Sequence, residues 1–359
     1  MRIGLIASPY IPVPPVRYGG TELFVAHLAE ALVDQGAEVT VYTNGESTVN
    51  ADRRWRYPCQ DWPLPTESSG MLKELDHVSW AVEAACSECD VVHLNGTMAV
   101  PLSRYATKPV VCTLHHPPEP QLTHIYERYP DVAYVAISSH QARSHPTIAS
   151  TVIHHGIDVT QYEFSDRKQP YLCFLGRICA IKGTHHAISI AKRTGMQLKI
   201  CGEVQPVFRD YFEKEIRPHI DGKQIQFLGE ADRALKNEVL KSASALLFPI
   251  EWNEPFGLIM IEAMACGTPV IAYRGGAVEE VVKNGVSGQI CRDEDEAVAA
   301  IGNLRFDPQR VRRYVEENFS SPVMARRYLA LYRDRIEQSL GLNRTELLEV
   351  GCPASSLAL

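Results

Sequence analysis

No stretch of this sequence approaches the run of about 20 apolar residues that a membrane-spanning helix needs. The opening MRIGLIASPY offers only about six apolar positions before Pro9, too few for a secretory leader, so the expected location is the cytoplasm. Cysteine is present but unorganised. Its ten copies are scattered, and only Cys86 and Cys89 stand in a CxxC spacing, in WAVEAACSECD, with no second pair and no nearby His-x-x-His to complete a zinc set. They read as core or surface thiols. A basic surplus is missing too: 36 Lys+Arg face 43 Asp+Glu, a formal charge of −7. Residues 1–160 hold 10 cationic against 17 acidic residues, which accounts for the whole excess, and the rest balances at 26 each. Neither half suits nucleic acid or an anionic membrane. The one basic and aromatic cluster, RRWRY at 53–57, is flanked by turn residues and reads as a solvated strand or loop, a lipid or acceptor contact being its alternative. The dinucleotide fingerprint GxGxxG is absent.

What is present is a soluble globular composition, 45% hydrophobic and 22% charged, over 359 residues, a length suited to two domains of about 100–200 residues each. Short β-branched runs alternate with helical stretches: RIGLIAS, EVTVYT, VVHLN, PVVCTLH, VAYVAIS and TVIHHGI in the first half, YLCFLG, LKICG, IQFLG, ALLFPI and PVIAY in the second. Each is apolar on both faces, as central strands of a parallel sheet covered by helices must be. TELFVAHLAEALVDQG between the first two has a 3.6-residue apolar period stopped by Gly36. The pattern restarts after the polar GIDVTQYEFSDRKQP at 156–170, which reads as a linker. The predicted fold is therefore α/β, with two doubly wound, Rossmann-like parallel-sheet domains facing a cleft. PVMARRYLALYRDRIEQSL has no strand after it and is expected to dock back on the first domain. The expected boundaries are 1–165 plus 320–340, then 166–319, with a mobile tail at 341–359.

The segment NEPFGLIMIEAMACGTPVIA at 253–272 raises the functional question. A helix starting near Gly257 turns its free N–H groups toward the cleft and favours an anion, most naturally a phosphate. Glu254 precedes that helix and Glu262 lies inside it, roughly 8 Å further along the axis. One ligand with hydroxyls at two ends and phosphates between them could touch both. Glu254 alone also fits a helix-dipole partner. Glu262 stands among Leu258, Ile259, Ile261, Ala263 and Met264, and must find hydrogen bonds or face a cleft.

This segment resembles the E-x7-E signature of GT-B glycosyltransferases, and in particular the retaining family 4. YGGTE at 18–22, TLHH at 113–116, HHGID at 154–158, GRICAIKG at 176–183 and FLG at 227–229 fall in the family's order, over about residues 1–340. The resemblance implies a hexosyltransferase that moves a sugar from a nucleotide-diphosphate sugar, UDP-sugar first, to an acceptor hydroxyl. It implies that Glu262 binds ribose hydroxyls and Glu254 the sugar ring, with Phe256, Gly257 and Leu258 near the sugar and diphosphate. It further implies that Arg177 and Lys182 clamp the diphosphate, that Gly20 brings backbone to the phosphates, that Leu228 lies by the base, and that His115 meets the sugar. His116 follows where many relatives carry Asp or Gly, so either ring is a candidate for the sugar side. No Asp or Glu in TLHH or YGGTE obviously supplies a nucleophile to the sugar's opposite face, and the resemblance implies a same-face mechanism in which the leaving diphosphate helps take the acceptor's proton. No metal or cofactor is expected. The only Asp-x-Asp, in RDEDE at 292–296, opens a predicted helix and reads as its cap. A small molecule, saccharide or lipid-linked sugar is the expected acceptor. The rival readings are a non-catalytic nucleotide-sugar sensor, a nucleotide-sugar epimerase and a phosphorylase, the last lacking a distinctive pyridoxal lysine.

Overall fold

The computed structural model describes residues 1–16, 19–59 and 68–341, so Tyr18 of YGGTE and all but the first residue of the predicted tail lie outside the described residues. Seven parallel strands make the first sheet: β1 (Arg2–Ile6), β2 (Glu38–Thr43), β3 (Asp52–Trp55), β4 (Val91–Leu94), β5 (Val110–Leu114), β6 (Ala133–Ala136) and β7 (Ser150–Val152), in the order β3-β2-β1-β4-β5-β6-β7. Six make the second: β8 (Gln169–Leu175), β9 (Gln197–Cys201), β10 (Ile225–Phe227), β11 (Ala243–Phe248), β12 (Val270–Tyr273) and β13 (Gly288–Cys291), in the order β10-β9-β8-β11-β12-β13. Successive side chains feed opposite cores, as the two-residue strand period requires. Leu5 and Val91 pack on one face of the first sheet, Ile6 and Val92 on the other. Cys173 and Leu172 divide the same way in the second.

The structure adds two strands that the apolar pattern does not mark, β3 and β13. Both are four-residue edge strands, where one side needs no partner. RRWRY contributes β3, whose four residues are all exposed. Its cations have protein partners: Arg53 donates to the Ser47 carbonyl, Arg54 lies 3.4 Å from Glu88, and Arg56 lies 3.2 Å from Asp76. Charged side chains of this kind blunt a sheet edge against further pairing.

The segment read as a linker is built into the fold. Ile157, Val159 and Tyr162 are buried, and β8 already begins at Gln169. The helix Ser321–Ser339, with Pro322 in its first turn, returns to the first sheet and packs along the helix Gly20–Asp34. Its Met324, Ala325, Tyr328 and Tyr332 join the first domain's core. A buried polar chain sets its position: Tyr332 Oη meets His93 Nδ1 at 2.7 Å, His93 Nε2 meets Thr113 Oγ1 at 2.7 Å, and Thr113 meets Tyr328 Oη at 2.8 Å. Such a chain is satisfied only at one docking register, since any slip strands polar atoms in the core. Glu280, after β12, ties the domains from the other side. It accepts from the Ser139 and His140 N–H groups, each at 2.7 Å, and sits 3.0 Å from His154 Nε2. Burial opposes its charge, but these hydrogen bonds win and hold its pKa at about 2.

Candidate functional site

The carboxyl ends of β1, β5, β8, β9 and β11 converge on a cavity of about 470 Å³ between the domains, where open α/β sheets bind their ligands. The first domain lines it with Gly19, Gly20, Thr21, His115, His116 and His155; the second with Arg177, Lys182, Glu203, Lys236, Trp252, Glu254, Phe256, Gly257, Leu258 and Glu262.

The loop after β11 is shaped by Gly257, which caps the helix Leu258–Ala265 at φ 85°. The backbone angle favours glycine there, while the atom nearest to an added Cβ, Met260 Cε at 2.6 Å, ends a flexible side chain that can give way. Glu254 is held by its own carbonyl, which accepts from Ala277 N–H at 2.8 Å. Its Oε2 accepts from Lys182 Nζ at 2.5 Å and from Trp252 Nε1 at 3.0 Å, and the lysine stands 4.8 Å from the Trp252 ring centre. The donor cation and the sugar-side carboxylate proposed by the motifs are therefore in direct contact.

Glu262 lies deeper, its side chain 3% exposed. It meets both demands placed on a carboxylate in an apolar helix: it faces the cavity and it is hydrogen-bonded. Oε1 accepts from Tyr162 Oη at 2.9 Å and Lys236 Nζ at 2.9 Å, and Oε2 accepts from Lys236 at 3.1 Å. Burial raises the Tyr162 hydroxyl well above its ordinary pKa, with the Glu262 charge adding to the shift, so it stays a donor. Neither partner carries a motif signal. Lys236 lies in an ordinary helix, Arg233–Ser242, and Tyr162 in the segment read as a linker.

Asn95 decides the chemistry of the paired histidines. Its Nδ2 donates to the Ile6 carbonyl at 3.3 Å, which turns Oδ1 toward His115 Nε2 at 3.1 Å. His115 therefore carries its proton on Nε2 and leaves Nδ1 as an acceptor. Burial, with His116 adding, pushes its pKa down to about 3, so the ring is neutral. It stacks on His155 at 5.6 Å and meets the Phe24 ring at 4.8 Å. His116 uses both nitrogens within its own domain, Nδ1 on the Pro117 carbonyl at 2.8 Å and Nε2 on Tyr126 Oη at 2.5 Å. His155, from HHGID, is a lining residue that motif reading did not single out.

Of the residues named from the sequence, the structure brings Gly20, His115, Arg177, Lys182, Glu254, Phe256, Gly257, Leu258 and Glu262 to the cavity. Leu228 is not among the residues that line the cavity. Its N–H donates to the Ile200 carbonyl at 2.8 Å, and Gly202, Glu203, Glu230 and Ala231 line that end. In RDEDE, Asp293 accepts from Glu296 N–H at 3.0 Å as the cap of the helix Glu294–Gly302.

A cleft between two doubly wound α/β domains, lined by a lysine paired with each of two carboxylates, defines a class of ligand-binding α/β protein. Comparison with known proteins narrows the class. Residues 18–161 match the family described as Glycosyltransferase Family 4, and residues 160–319 match Glycosyl transferases group 1. The chain is 26% identical to the phosphatidyl-myo-inositol mannosyltransferase of Mycolicibacterium smegmatis, over 86% of this chain and 86% of that one. It is 33% identical to the glycogen synthase of Mycobacterium tuberculosis over 45% of this chain, and spans only 41% of that protein's length. Among solved structures it is similar to AviGT4, a glycosyltransferase involved in avilamycin A biosynthesis (TM-score 0.73, 23% identity, 95% of this chain and 98% of that one). It is similar also to Anabaena Alr3699/HepE in complex with UDP-glucose (TM-score 0.69, 18% identity, 95% and 99%). The fold is thus GT-B, and the two family matches, which together span residues 18–319, place the chain in the group 1, family 4 glycosyltransferases. Among the described residues no helix is long and apolar enough to cross a membrane.

Proposed function

We propose that the protein transfers a hexosyl group from a nucleotide sugar, a UDP-sugar first, to an acceptor hydroxyl with retention of configuration and without a metal ion. The observation that carries this reading is the convergence of Glu254, Glu262, Arg177, Lys182 and His115 on one cavity. Glu262, oriented by Lys236 and Tyr162, accepts from the ribose hydroxyls. Arg177 gives a planar fork and Lys182 a compact charge to the diphosphate, beside the free N–H groups of the helix starting at Leu258. Lys182 exchanges Glu254 for phosphate as the donor enters, which frees the carboxylate for the sugar hydroxyls. Neutral His115 offers Nδ1 to the sugar from the opposite wall.

Among the described residues, the first domain's share of the cavity lining holds no Asp or Glu, which supports a mechanism without a carboxylate nucleophile. The bond from C1 to the diphosphate oxygen breaks, the acceptor oxygen bonds to C1 on the same face, and the acceptor proton passes to the departing phosphate. Rate enhancement comes from positioning and from the cations meeting charge on the leaving group. The UDP-glucose held by a structural neighbour makes uridine the first base to test. The acceptor, a small molecule, saccharide or lipid-linked sugar, approaches from the first domain's loops. Incubation with UDP-, GDP-, ADP- and dTDP-sugars in EDTA, following released nucleotide and the anomeric proton of the product, tests each part. Binding without turnover on any acceptor supports a sensor instead. An inverted product removes the same-face mechanism, and a strict Mg²⁺ or Mn²⁺ requirement removes metal independence.

A further inference from the structure

Outside the transfer site, His185, His186 and Glu251 place three metal-ligating atoms within 4.8 Å of one another. Both histidines turn the same nitrogen to the carboxylate: His186 Nε2 lies 3.0 Å from Glu251 Oε1, and His185 Nε2 lies 3.8 Å from Oε2. Both opposite nitrogens are engaged from behind. His185 Nδ1 meets Tyr211 Oη at 2.8 Å, and His186 Nδ1 faces Glu294 Oε2 at 3.7 Å. Outer hydrogen-bonding groups of this kind fix tautomer and ring direction in histidine metal sites. The side chains are 32%, 28% and 45% exposed, which leaves an entry path and room for water ligands.

We propose that His185, His186 and Glu251 bind a divalent cation of the borderline class, Zn²⁺ first, with water completing the shell. Two imidazoles and one carboxylate suit Zn²⁺ or its transition-metal neighbours and not Mg²⁺ or Ca²⁺, which prefer all-oxygen sets. Tetrahedral zinc with bonds of about 2.0–2.1 Å spaces its ligand atoms at about 3.4 Å. The 3.0 and 3.8 Å separations, which run to the two oxygens of Glu251, bracket that value, and with all three ligand atoms within 4.8 Å of one another side-chain rotation can close the set around an ion.

The site joins the first turn of the helix Thr184–Thr194, which directly follows one loop, to a second loop, and the two already touch. Glu251 N–H donates to the Ile181 carbonyl at 2.9 Å, and Gly183, at φ 72°, comes so near that a Cβ would lie 1.8 Å from the Pro249 carbonyl oxygen. Lys182 sits on the first loop and Glu254 on the second. A bound ion therefore staples the two loops that carry the donor-side cation and carboxylate. This inference is independent of the proposed transfer reaction, since the ion touches neither residue.

Calorimetric titration of metal-stripped protein with ZnCl₂ tests the site, with MgCl₂ as the control and a thermal melt alongside. One Zn²⁺ per chain, no Mg²⁺ response and a Tm raised by zinc are expected for the wild type. His186→Gln and Glu251→Gln should each weaken zinc binding about tenfold or more, and Tyr211→Phe, which removes the hydroxyl bonded to the ring and the backbone N–H of His185, should weaken it by about tenfold. Metal-free Tm values of the first two should stay within about 2 °C of the wild type, because both positions are partly open. Failure of the wild type to take up zinc overturns the proposal. So does wild-type affinity in all three variants, which would put the ion on other groups such as the exposed thiol of Cys59.

Discussion

Glu262 accepts three hydrogen bonds, one from Tyr162 and two from Lys236. An ionised carboxylate has about four acceptor positions, so one is left, on Oε2, for a ligand hydroxyl. Glu262→Gln keeps the shape and removes the charge. A hydrogen bond to a charged group contributes about 1.5–3 kcal/mol, so this substitution should raise the donor dissociation constant about 10- to 150-fold. Turnover at saturating donor should change much less, because the ribose lies away from the breaking bond and is held alike in ground and transition states. Glu262→Ala adds a stability cost. It strands the hydroxyl of Tyr162, a residue 7% exposed, at about 1–3 kcal/mol, which is a Tm loss of about 3–10 °C. Titration calorimetry with nucleoside diphosphates, donor KM and a thermal melt separate the two effects. If both variants stay folded and bind nucleoside diphosphate within about twofold of the wild type, the ribose assignment is wrong.

Lys182→Ala should cut turnover about 10²- to 10³-fold, the scale for losing one charge-stabilising group, and single-turnover rates equal to wild type would remove the lysine from the leaving-group role. Glu254→Ala and His115→Ala should lower turnover more than donor binding, and wild-type constants in both would refute their sugar contacts. Tyr332→Phe leaves buried His93 Nδ1 unpaired and should cost about 1–3 kcal/mol, read as a lower urea midpoint; an unchanged midpoint would show that the polar chain does not anchor the helix Ser321–Ser339. Acid should destabilise the fold before carboxylates titrate. Burial lowers His27 and His77 to about 4 and His93 and His115 to about 3, so below pH 6.5 protons bind the unfolded chain first and each histidine adds a slope approaching 1.4 kcal/mol per pH unit. Glu22, raised to about 7 by burial, works the other way, with its stabilisation complete below pH 4.5 and lost as pH rises through 7, but it is one group against four. A Tm that holds level or rises from pH 7 to 5 would contradict this.

Much of the site was readable because its pieces are local. Glu254, Gly257 and Glu262 share one strand–turn–helix segment, and Arg177 and Lys182 share another, so spacing alone carries each to a strand's carboxyl end. The partners were not readable. Lys236 is 26 positions from Glu262 and Tyr162 is 100, and nothing in a helix face or a polar connecting segment announces either one. Leu228 follows its strand as the pattern places it, with its N–H paired to the Ile200 carbonyl.

By itself the sequence determined where strands and helices fall and which turns need glycine, since apolar period and backbone sterics act between near neighbours. Only the tertiary structure decided which histidine keeps a free acceptor, through Asn95, and what neutralises the buried carboxylate. It also decided that the last helix closes on His93 and Thr113. Those outcomes depend on which surfaces packing brings together from distant parts of the chain, and a local pattern holds no record of that.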